Sequence, residues 1–382
     1  MKVCIVYHFA RAQGMEHIDA ILIDELLSRG VDVVVATLTK IDIIKLFHEK
    51  FDINLCKSPK MYYLFPVSQI SSLPICQPFW NWFSMLNCIN HENPDVIYID
   101  GYHYKIPKHL KQKAEIFVYL NEPPTMTPVN KEREAKLEKK LRIHIRVYTK
   151  LFDYLLKSIT DTDAVNKVIC NSKYSAKLYE KIYNKVPEVV LPPVCTTKFS
   201  MESKENLISC VGVFHPRKRF ERTIRAIALS KTKPKLAIIG SLPPGGDLYL
   251  AYLRRLSKQL KIEERVSFHP NSNFGELRGL LARSKICVSN GIEYFGVAVV
   301  EQMAAGCVPI VYKWTAPWED IIAEGKFGFG FETCEELADI IDRVISDEEL
   351  QTKMSNISRK RAEEFDERVF RQKMSNLLLY KK

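Results

Sequence analysis

Short apolar runs alternate along the chain with longer segments whose apolar residues recur at helical spacing. Residues 2–7 form an apolar run typical of a buried strand, and apolar positions then repeat at helical intervals over 18–27. Gly30 follows as a helix C-cap would, and 31–36 is a second, β-branched run. A strand, a helix and a strand in this order predict the opening of a doubly wound parallel sheet.

The same alternation predicts two α/β halves. The first half contains further strands at 95–100, 116–120 and 167–171, and Ser172 is the expected N-cap of the next helix, 173–183. Two prolines and the polar, aperiodic residues 195–205 then predict an inter-domain linker. The second series has strands expected at 207–212, 235–239, 265–268, 285–289 and 308–311, helices at 219–230, 247–260, 274–283 and 297–305, and a long charged helical stretch at 347–380.

Length and composition agree with this division. A chain of 382 residues exceeds what one hydrophobic core usually serves, and its 46% hydrophobic and 26% charged residues are ordinary for a globular protein. We therefore expect an α/β fold of two Rossmann-like domains facing a central cleft, residues 1–195 and 196–365, with a helix at about 366–382 packing back on the first. No apolar run reaches about 18 residues and no signal peptide is recognisable, so a cytoplasmic protein is expected.

The spacing of the cysteines and the net charge exclude few classes of function. The ten cysteines are scattered without a Cys-x-x-Cys motif, which predicts reduced, buried thiols and no metal site. The formal net charge of +11 is compatible with binding to nucleic acid, to an anionic membrane or to a negatively charged small substrate. It is equally compatible with a solvated basic surface that has no partner. Residues 137–155 suit a membrane-surface helix or an ordinary domain helix, and the aromatic stretch 78–83 suits contact with lipid or acceptor, or buried packing.

The strongest chemical signal lies in residues 289–306, SNGIEYFGVAVVEQMAAG. A strand is expected to end at Ser289, Gly291 and Gly296 allow a tight loop, and a helix opens after Gly296. Backbone N–H groups at a helix N-terminus attract anions, and the adjacent glycine lets a phosphate approach closely. The segment therefore predicts a phosphate site.

Two acidic residues flank this predicted phosphate site. Glu301 lies a little over one turn into the helix, roughly 6 Å from its N-terminus, which is about the distance from a diphosphate to its ribose. Glu293 lies on the preceding loop, on the other side of the phosphates. One carboxylate on each side suits a nucleotide sugar held end to end. The alternative is that Glu293 faces solvent and Glu301 only caps or solvates the helix.

These residues resemble the E-x7-E signature of glycosyltransferase family 4 (group 1), retaining enzymes of the GT-B fold. Residues 293–306 are similar to that signature over its full length, and most similar to the branch that adds mannose to lipid-linked oligosaccharides. The resemblance covers most of 168–345. It implies donor contacts at Glu293 for the sugar, Glu301 for the ribose, and the backbone of Phe295, Gly296 and Val297 for the diphosphate.

A basic segment at 211–221 follows the first strand of the second half. The resemblance implies that Lys218 is the family's lysine, a fixed cation that stabilises the departing nucleoside diphosphate. Where the family has an arginine after the strand's glycine this chain has Val213, and Arg217 is the candidate for that charge. A solvated basic loop is the alternative. Further donor contacts implied by the resemblance are Gly240 at the second cleft loop and Pro270 and Asn271 near the nucleobase.

Candidates in the first half are expected on the acceptor side. Gln13 and Gly14 fall where the family has a glycine-rich loop, and Asn121 stands where related enzymes often carry a histidine. Glu122 and His103 are further cleft candidates. Each of these residues also suits an ordinary loop.

The resemblance implies a retaining hexosyltransferase of mannose or glucose type. Its donor would be a GDP- or UDP-hexose and its acceptor a glycan or lipid-linked hydroxyl, with peripheral contact at the cytoplasmic membrane face and with neither a cofactor nor an essential metal. Front-face attack, with the departing phosphate taking the proton, would retain the anomeric configuration. The alternatives are another GT-B activity such as an epimerase or phosphorylase, a catalytically degenerate GT-B protein, and a nucleic-acid-binding protein that uses the basic surface.

Overall fold

A computed structural model describes residues 1–6, 14–65, 88–101, 114–121 and 165–380. The chain forms two compact units. The first consists of Met1–Asn171, Ser175–Val190 and Arg371–Lys382, and the second of Ser172–Tyr174 and Leu191–Phe370.

The first unit is built on a parallel sheet in the order β3-β2-β1-β4-β5-β6-β7 within its described residues. β1 is paired in register with β2 on one side and β4 on the other, so that Val3 lies beside both Val33 and Val96. The central strands are buried along almost their whole length, which explains their continuous apolar sequences. The strands are β1 (Lys2–Val6), β2 (Asp32–Thr39), β3 (Lys60–Phe65), β4 (Val96–Asp100), β5 (Glu115–Leu120), β6 (Lys167–Cys170) and β7 (Glu188–Val189).

The helices near this sheet bury their apolar residues against it. Ile21, Leu22 and Leu26 of the first helix are fully buried, as its helical spacing predicted. The second helix is capped by Asp42, whose side chain accepts a hydrogen bond from the backbone N–H of Lys45. The helices are α1 (Gly14–Ser28), α2 (Ile43–Phe51) and α3 (Lys173–Tyr183).

The second unit has a parallel sheet in the order β10-β9-β8-β11-β12-β13. One apolar cluster lies on each side of this sheet, and Ile208 and Ile310 contribute to one cluster while Ala237 and Val311 contribute to the other. Burial on both faces is what a parallel sheet requires. The strands are β8 (Glu205–Val211), β9 (Lys235–Gly240), β10 (Val266–Pro270), β11 (Ser284–Ser289), β12 (Val308–Tyr312) and β13 (Phe329–Phe331).

The helices of the second unit begin at residues that suit helix starts. Asn273, Thr333 and Asp347 each accept a hydrogen bond from a backbone N–H in the first turn that follows them. These caps fix where three of the helices begin. The helices are α4 (Phe220–Leu229), α5 (Gly246–Gln259), α6 (Phe274–Arg283), α7 (Val297–Ala304), α8 (Cys334–Ser346), α9 (Glu348–Ala362) and α10 (Glu367–Leu379).

Two details differ from the sequence-based expectations. Residues 195–205, expected as a linker, belong to the second unit because Phe199 is buried and Lys204 Nζ donates to the Ala305 carbonyl at 2.6 Å. The long helix at 347–380 is two helices, interrupted by a 3-10 turn at Glu363–Phe365. Ser172 directly precedes α3, and its hydroxyl donates to the Tyr294 carbonyl. The first two N–H groups of α3 donate to the carboxylate of Asp320, and Ser172–Tyr174 belong to the second unit.

The part of α10 from Arg371 onward belongs to the first unit, as the sequence predicted for the C-terminal helix. Arg371 forms an ion pair with Asp24 at 2.8 Å, and Ser375 donates to Glu25 at 3.0 Å. Both acidic partners lie on α1. The spacing of these contacts, four residues apart, puts them on one face of α10.

Candidate functional site

The carboxyl edge of the second unit's sheet contains a topological switch point. The chain runs outward from β8 through β9 to β10, and then returns to the other side of β8 as β11. In open parallel sheets ligands bind at the carboxyl ends of the two strands beside such a switch. Here the loops that follow those strands are residues 212–219 and 290–296, which carry the two predicted charges, Lys218 and Glu293.

Glycine is required where the loops after β8 and β9 meet. A Cβ on Gly240 would lie 1.8 Å from the carbonyl oxygen of Gly212, a separation that no side chain tolerates. The carbonyl of Gly240 accepts from the N–H of Asn271 at 2.7 Å, and Asn271 Oδ1 accepts from the N–H of Leu242 at 2.8 Å. Gly240 and Asn271 therefore shape the loops at this edge, and Pro270 is the last residue of β10.

Lys218 and Glu293 form an ion pair across the switch point. Lys218 ends a 3-10 turn, Pro216–Lys218, and its aliphatic stem lies against Gly212, where a Cβ would stand 3.0 Å from Lys218 Cε. Its Nζ donates to Glu293 Oε1 at 2.5 Å, and about a fifth of each side chain is exposed (23% and 21%). The two residues are 75 positions apart in sequence, so only the sheet topology brings them together. Arg217, on the same turn, is exposed.

Helix α7 opens beside this ion pair without a side-chain cap. Its N-cap, Gly296, has φ = 107°, a conformation that favours glycine, and Val297 is the first helical residue. Phe295 is 4% exposed and packs against Phe365 with ring centroids 5.9 Å apart. That packing fixes the backbone just before the helix. The positive end of the helix dipole and its first N–H groups are therefore held in place by the core.

Glu301 has the most strongly shifted pKa among the acids that follow β8 and β11 at this edge. It lies on α7, one turn beyond the N-terminus, and burial raises the pKa of its carboxyl to about 7. Within the described residues, no group is placed to donate a hydrogen bond or a counter-charge to this carboxylate. A carboxyl group that burial perturbs and nothing compensates is a candidate binding group, because a ligand hydroxyl can supply the missing hydrogen bonds.

The first unit contains a buried acidic cluster that sequence reasoning missed. Asp100 ends β4 and accepts from Asn121 Nδ2 at 2.7 Å, and the Asn121 carbonyl accepts from Asn171. Burial, followed by repulsion from Glu16, raises the pKa of Asp100 well above its usual range; burial and then Asp100 itself do the same for Asp19. The switch point of this sheet lies between β1 and β4, so Asp100 stands at its edge. An aspartate that ends a buried strand was the available signal.

Several predicted residues fall outside the described part of the chain. Gln13, His103 and Glu122 are among them, as are the segments 78–83 and 137–155. Gly14 is described as the first residue of α1. Within the described residues there is no group of three His, Cys, Asp or Glu side chains that could hold a metal ion, and no helix combines the length and apolarity needed to cross a bilayer.

The match to a family model decides the class of the second unit. Residues 197–361 match the family described as glycosyl transferases group 1. The second unit is a group 1 glycosyl transferase domain. The matched span contains Lys218, Glu293 and Glu301, so the family assignment and the geometry of the switch point concern the same residues.

Curated relatives match part of this chain. The chain is 29% identical over 180 residues to a Dictyostelium discoideum protein named GDP-Man:Man(3)GlcNAc(2)-PP-Dol alpha-1,2-mannosyltransferase, a match that covers 44% of this chain and 36% of the relative. It is 34% identical over 180 residues to the Homo sapiens protein of the same name, which covers 42% of this chain and 37% of that one. The chain thus spans well under half the length of these relatives.

Solved structures share the fold of the whole chain, which is GT-B. Anabaena Alr3699/HepE in complex with UDP and glucose superimposes with a TM-score of 0.71 at 15% identity, covering 99% of both chains. Sucrose-phosphate synthase from Thermosynechococcus elongatus gives 0.74 at 14% identity, covering 99% of this chain and 98% of the other. At these identities the similarity establishes the two Rossmann-like α/β units and their topology.

Proposed function

We propose that the chain is a retaining hexosyltransferase that transfers mannose from GDP-mannose to a hydroxyl of a lipid-linked oligosaccharide. The observation that carries this proposal is Glu301, an acid of raised pKa one turn into a helix that opens beside the Lys218–Glu293 pair. The names of the curated relatives support the choice of guanosine donor, mannose and lipid-linked acceptor. Residues 1–195 would bind the acceptor and 196–365 the donor.

In this proposal the diphosphate lies at the N-terminus of α7, against the backbone of Phe295, Gly296 and Val297. Lys218 forms an ion pair with Glu293, so a phosphate oxygen that approaches this edge competes with the Glu293 carboxylate for the lysine ammonium. Lys218 then stabilises the charge that develops on the leaving diphosphate. Glu293 is released to accept from a hydroxyl of the donor hexose. Gly240, Pro270 and Asn271 would lie beside the nucleobase.

Glu301 accepts the ribose hydroxyls in the same arrangement. Two hydrogen bonds to the ionised carboxylate stabilise its charged form, so donor binding lowers the pKa of Glu301 and releases a proton below about pH 7. The transfer step itself calls for no strong side-chain base, since the departing phosphate oxygen takes the proton of the acceptor hydroxyl as the new bond forms on the same face. Retention of the anomeric configuration follows from that geometry. Contact with a membrane surface would bring the lipid-linked acceptor to the first unit.

Calorimetric titration with nucleotide sugars at pH 6 and pH 8 tests the donor site. GDP-mannose and UDP-glucose carry no group that titrates in this window, so a pH effect belongs to the protein. With a pKa of about 7, Glu301 goes from mostly protonated to mostly ionised between these values, and binding is expected to tighten about ten-fold. GDP-mannose is expected to bind more tightly than UDP-glucose.

The matched variant is Glu301→Gln, which keeps the shape of the side chain and removes its titration. It should bind GDP-mannose more weakly at pH 8 and show no change between pH 6 and pH 8. If neither nucleotide sugar binds, or if the variant binds as the wild type does, the proposal is wrong. Anomeric analysis of the product by NMR then tests retention separately, because an inverted linkage would contradict the front-face step alone.

A further inference from the structure

Two arginines at the start of α4 are buried or partly buried without an anionic partner. Arg219 is 5% exposed, and Arg222 is partly buried. Among the described residues no carboxylate oxygen lies within 4.0 Å of a nitrogen of either side chain. Arg222 Nη1 is also enclosed by protein without any hydrogen-bond partner. A guanidinium group stays charged when it is buried, so this arrangement costs free energy unless a partner compensates it.

The other partly buried arginines show what is missing here. Within the described part of the chain each of them donates to a backbone carbonyl or to a carboxylate. These arginines are Arg265, Arg283, Arg361 and Arg371. Buried polar groups in proteins are nearly always satisfied in this way. Arg219 and Arg222 are therefore exceptions that an anion from outside the chain would explain.

The ring of Tyr312 brings the two guanidinium groups together. Arg222 Cζ lies 4.3 Å from the ring centroid and Arg219 Cζ lies 5.5 Å from it. Tyr312 ends β12 and packs edge-on against Phe331, with ring centroids 5.9 Å apart. A guanidinium over an aromatic face keeps its in-plane N–H groups as hydrogen-bond donors. Two cations on one ring repel each other, and an anion between them would remove that repulsion.

A third arginine opens this cluster to solvent. Arg225 is exposed and lies three residues after Arg222 on α4, so both are on one side of the helix. Burial raises the pKa of the Cys334 thiol at the start of α8, and the charges of Arg222 and Arg225 oppose that rise. Glu221 and Glu335 are the nearby acids, and neither carboxylate lies within 4.0 Å of an arginine nitrogen. The positive charge of the cluster is therefore not neutralised locally.

The cluster lies on the opposite face of the sheet from the proposed donor helix. Ile224 of α4 belongs to one core cluster, and Tyr312 packs against that cluster. Val299 and Val300 of α7 belong to the cluster on the other face. A diphosphate at the N-terminus of α7 would therefore not be the partner of these arginines.

We propose that Arg219, Arg222 and Arg225 form a second anion site, which binds the phosphate group of a free small molecule. The planar fork of a guanidinium pairs with two phosphate oxygens at once, and three cations match a group that carries up to two negative charges. Arg219 is almost fully buried, which favours a small soluble phosphate over a headgroup held in a bilayer. The assignment does not depend on the proposed transferase function.

Calorimetric titration with inorganic phosphate at constant ionic strength tests the site. The wild type should show saturable binding. Arg219→Asn, a side chain that tolerates the φ of 49° at this position, and Arg222→Met should each weaken binding by about ten- to hundred-fold. Arg222→Lys keeps the charge without the fork and should weaken binding less than Arg222→Met. Arg254→Met is the matched control, because Arg254 is an exposed arginine over Phe268 on α5, and it should bind as the wild type does.

Melting curves in phosphate-free buffer separate binding from folding. Arg222→Met removes a charge that has no partner, so its melting temperature should be unchanged or higher. Lys218→Met separates this site from the proposed donor site and should still bind phosphate. Phosphate binding that is absent from the wild type, or that is lost in Lys218→Met and kept in both arginine variants, overturns the proposal.

Sedimentation with vesicles tests whether the phosphate is free or carried by a lipid. Phosphatidylcholine vesicles that contain phosphatidic acid should bind the wild type and Arg222→Met to the same extent. Weaker sedimentation of the variant would overturn the assignment to a free small molecule. Calorimetric binding of GDP-mannose shows independently whether the donor site stands.

Discussion

Removing the charge of Glu301 is expected to stabilise the protein at alkaline pH. Burial raises the pKa of this carboxyl from 4.5 to about 7 in the folded chain, so the folded state holds a proton that the unfolded state has already released. The free energy of unfolding therefore falls as the pH rises from about 4.5 to about 7, and it stays lower above that. Glu301→Gln is neutral throughout and lacks this fall.

The size of the effect follows from the pKa difference. A shift from 4.5 to about 7 corresponds to roughly 3 kcal/mol between the two protonation states. The side chain is only partly buried, so solvent reduces this figure, and about 2 kcal/mol is the expected gain in unfolding free energy for Glu301→Gln at pH 8. At pH 4 both proteins carry a neutral group and the difference should vanish.

Urea denaturation of the wild type and Glu301→Gln at pH 4, 6 and 8 measures this difference directly. Burial also raises the pKa of Asp19 and Asp100, but these groups are common to both proteins and their contributions cancel. Glu202→Gln, the same substitution at an exposed position of the second unit, is the matched control and should lack the stabilisation of about 2 kcal/mol at pH 8. A constant difference for Glu301→Gln, or a wild type that is the more stable protein at pH 8, would refute the reasoning.

Three further predictions concern the second unit. Gly240→Ala should destabilise the second unit, because the new Cβ would lie 1.8 Å from the carbonyl oxygen of Gly212. Chemical denaturation should show an unfolding free energy lower by more than about 3 kcal/mol, or no folded second unit. Gly279→Ala, in a helix with nothing within 4 Å of the new Cβ, is its control and should be neutral or stabilising. Lys218→Met should lower kcat by roughly 10²–10³-fold in single-turnover transfer, and a loss under ten-fold would exclude a role in leaving-group stabilisation. Asp342→Ala removes the acceptor of four hydrogen bonds from the loop after α4 and should lower Tm, with an unfolding cost of about 2 kcal/mol.

The sequence by itself determined most of the architecture. Continuous β-branched runs and helical spacing identified the central strands of both sheets and most helices of the second unit, because burial on both faces of a parallel sheet leaves a plain apolar pattern. It did not identify the short edge strand Phe329–Phe331, which has too few residues to show a period. The prediction of a linker at 195–205 was wrong for a different reason. Polar residues such as Lys204 can belong to a domain when their charged ends donate to backbone carbonyls.

The donor-site residues were visible in sequence because they cluster. Glu293, Gly296 and Glu301 lie on one strand–loop–helix segment, so their spacing alone indicates a phosphate site with an acid on each side. Only the tertiary structure decided that Lys218 bonds Glu293, since the two are 75 residues apart and meet through the strand order. Burial, which raises the pKa of Glu301, depends on the helices and strands packed around α7 and has no local signature.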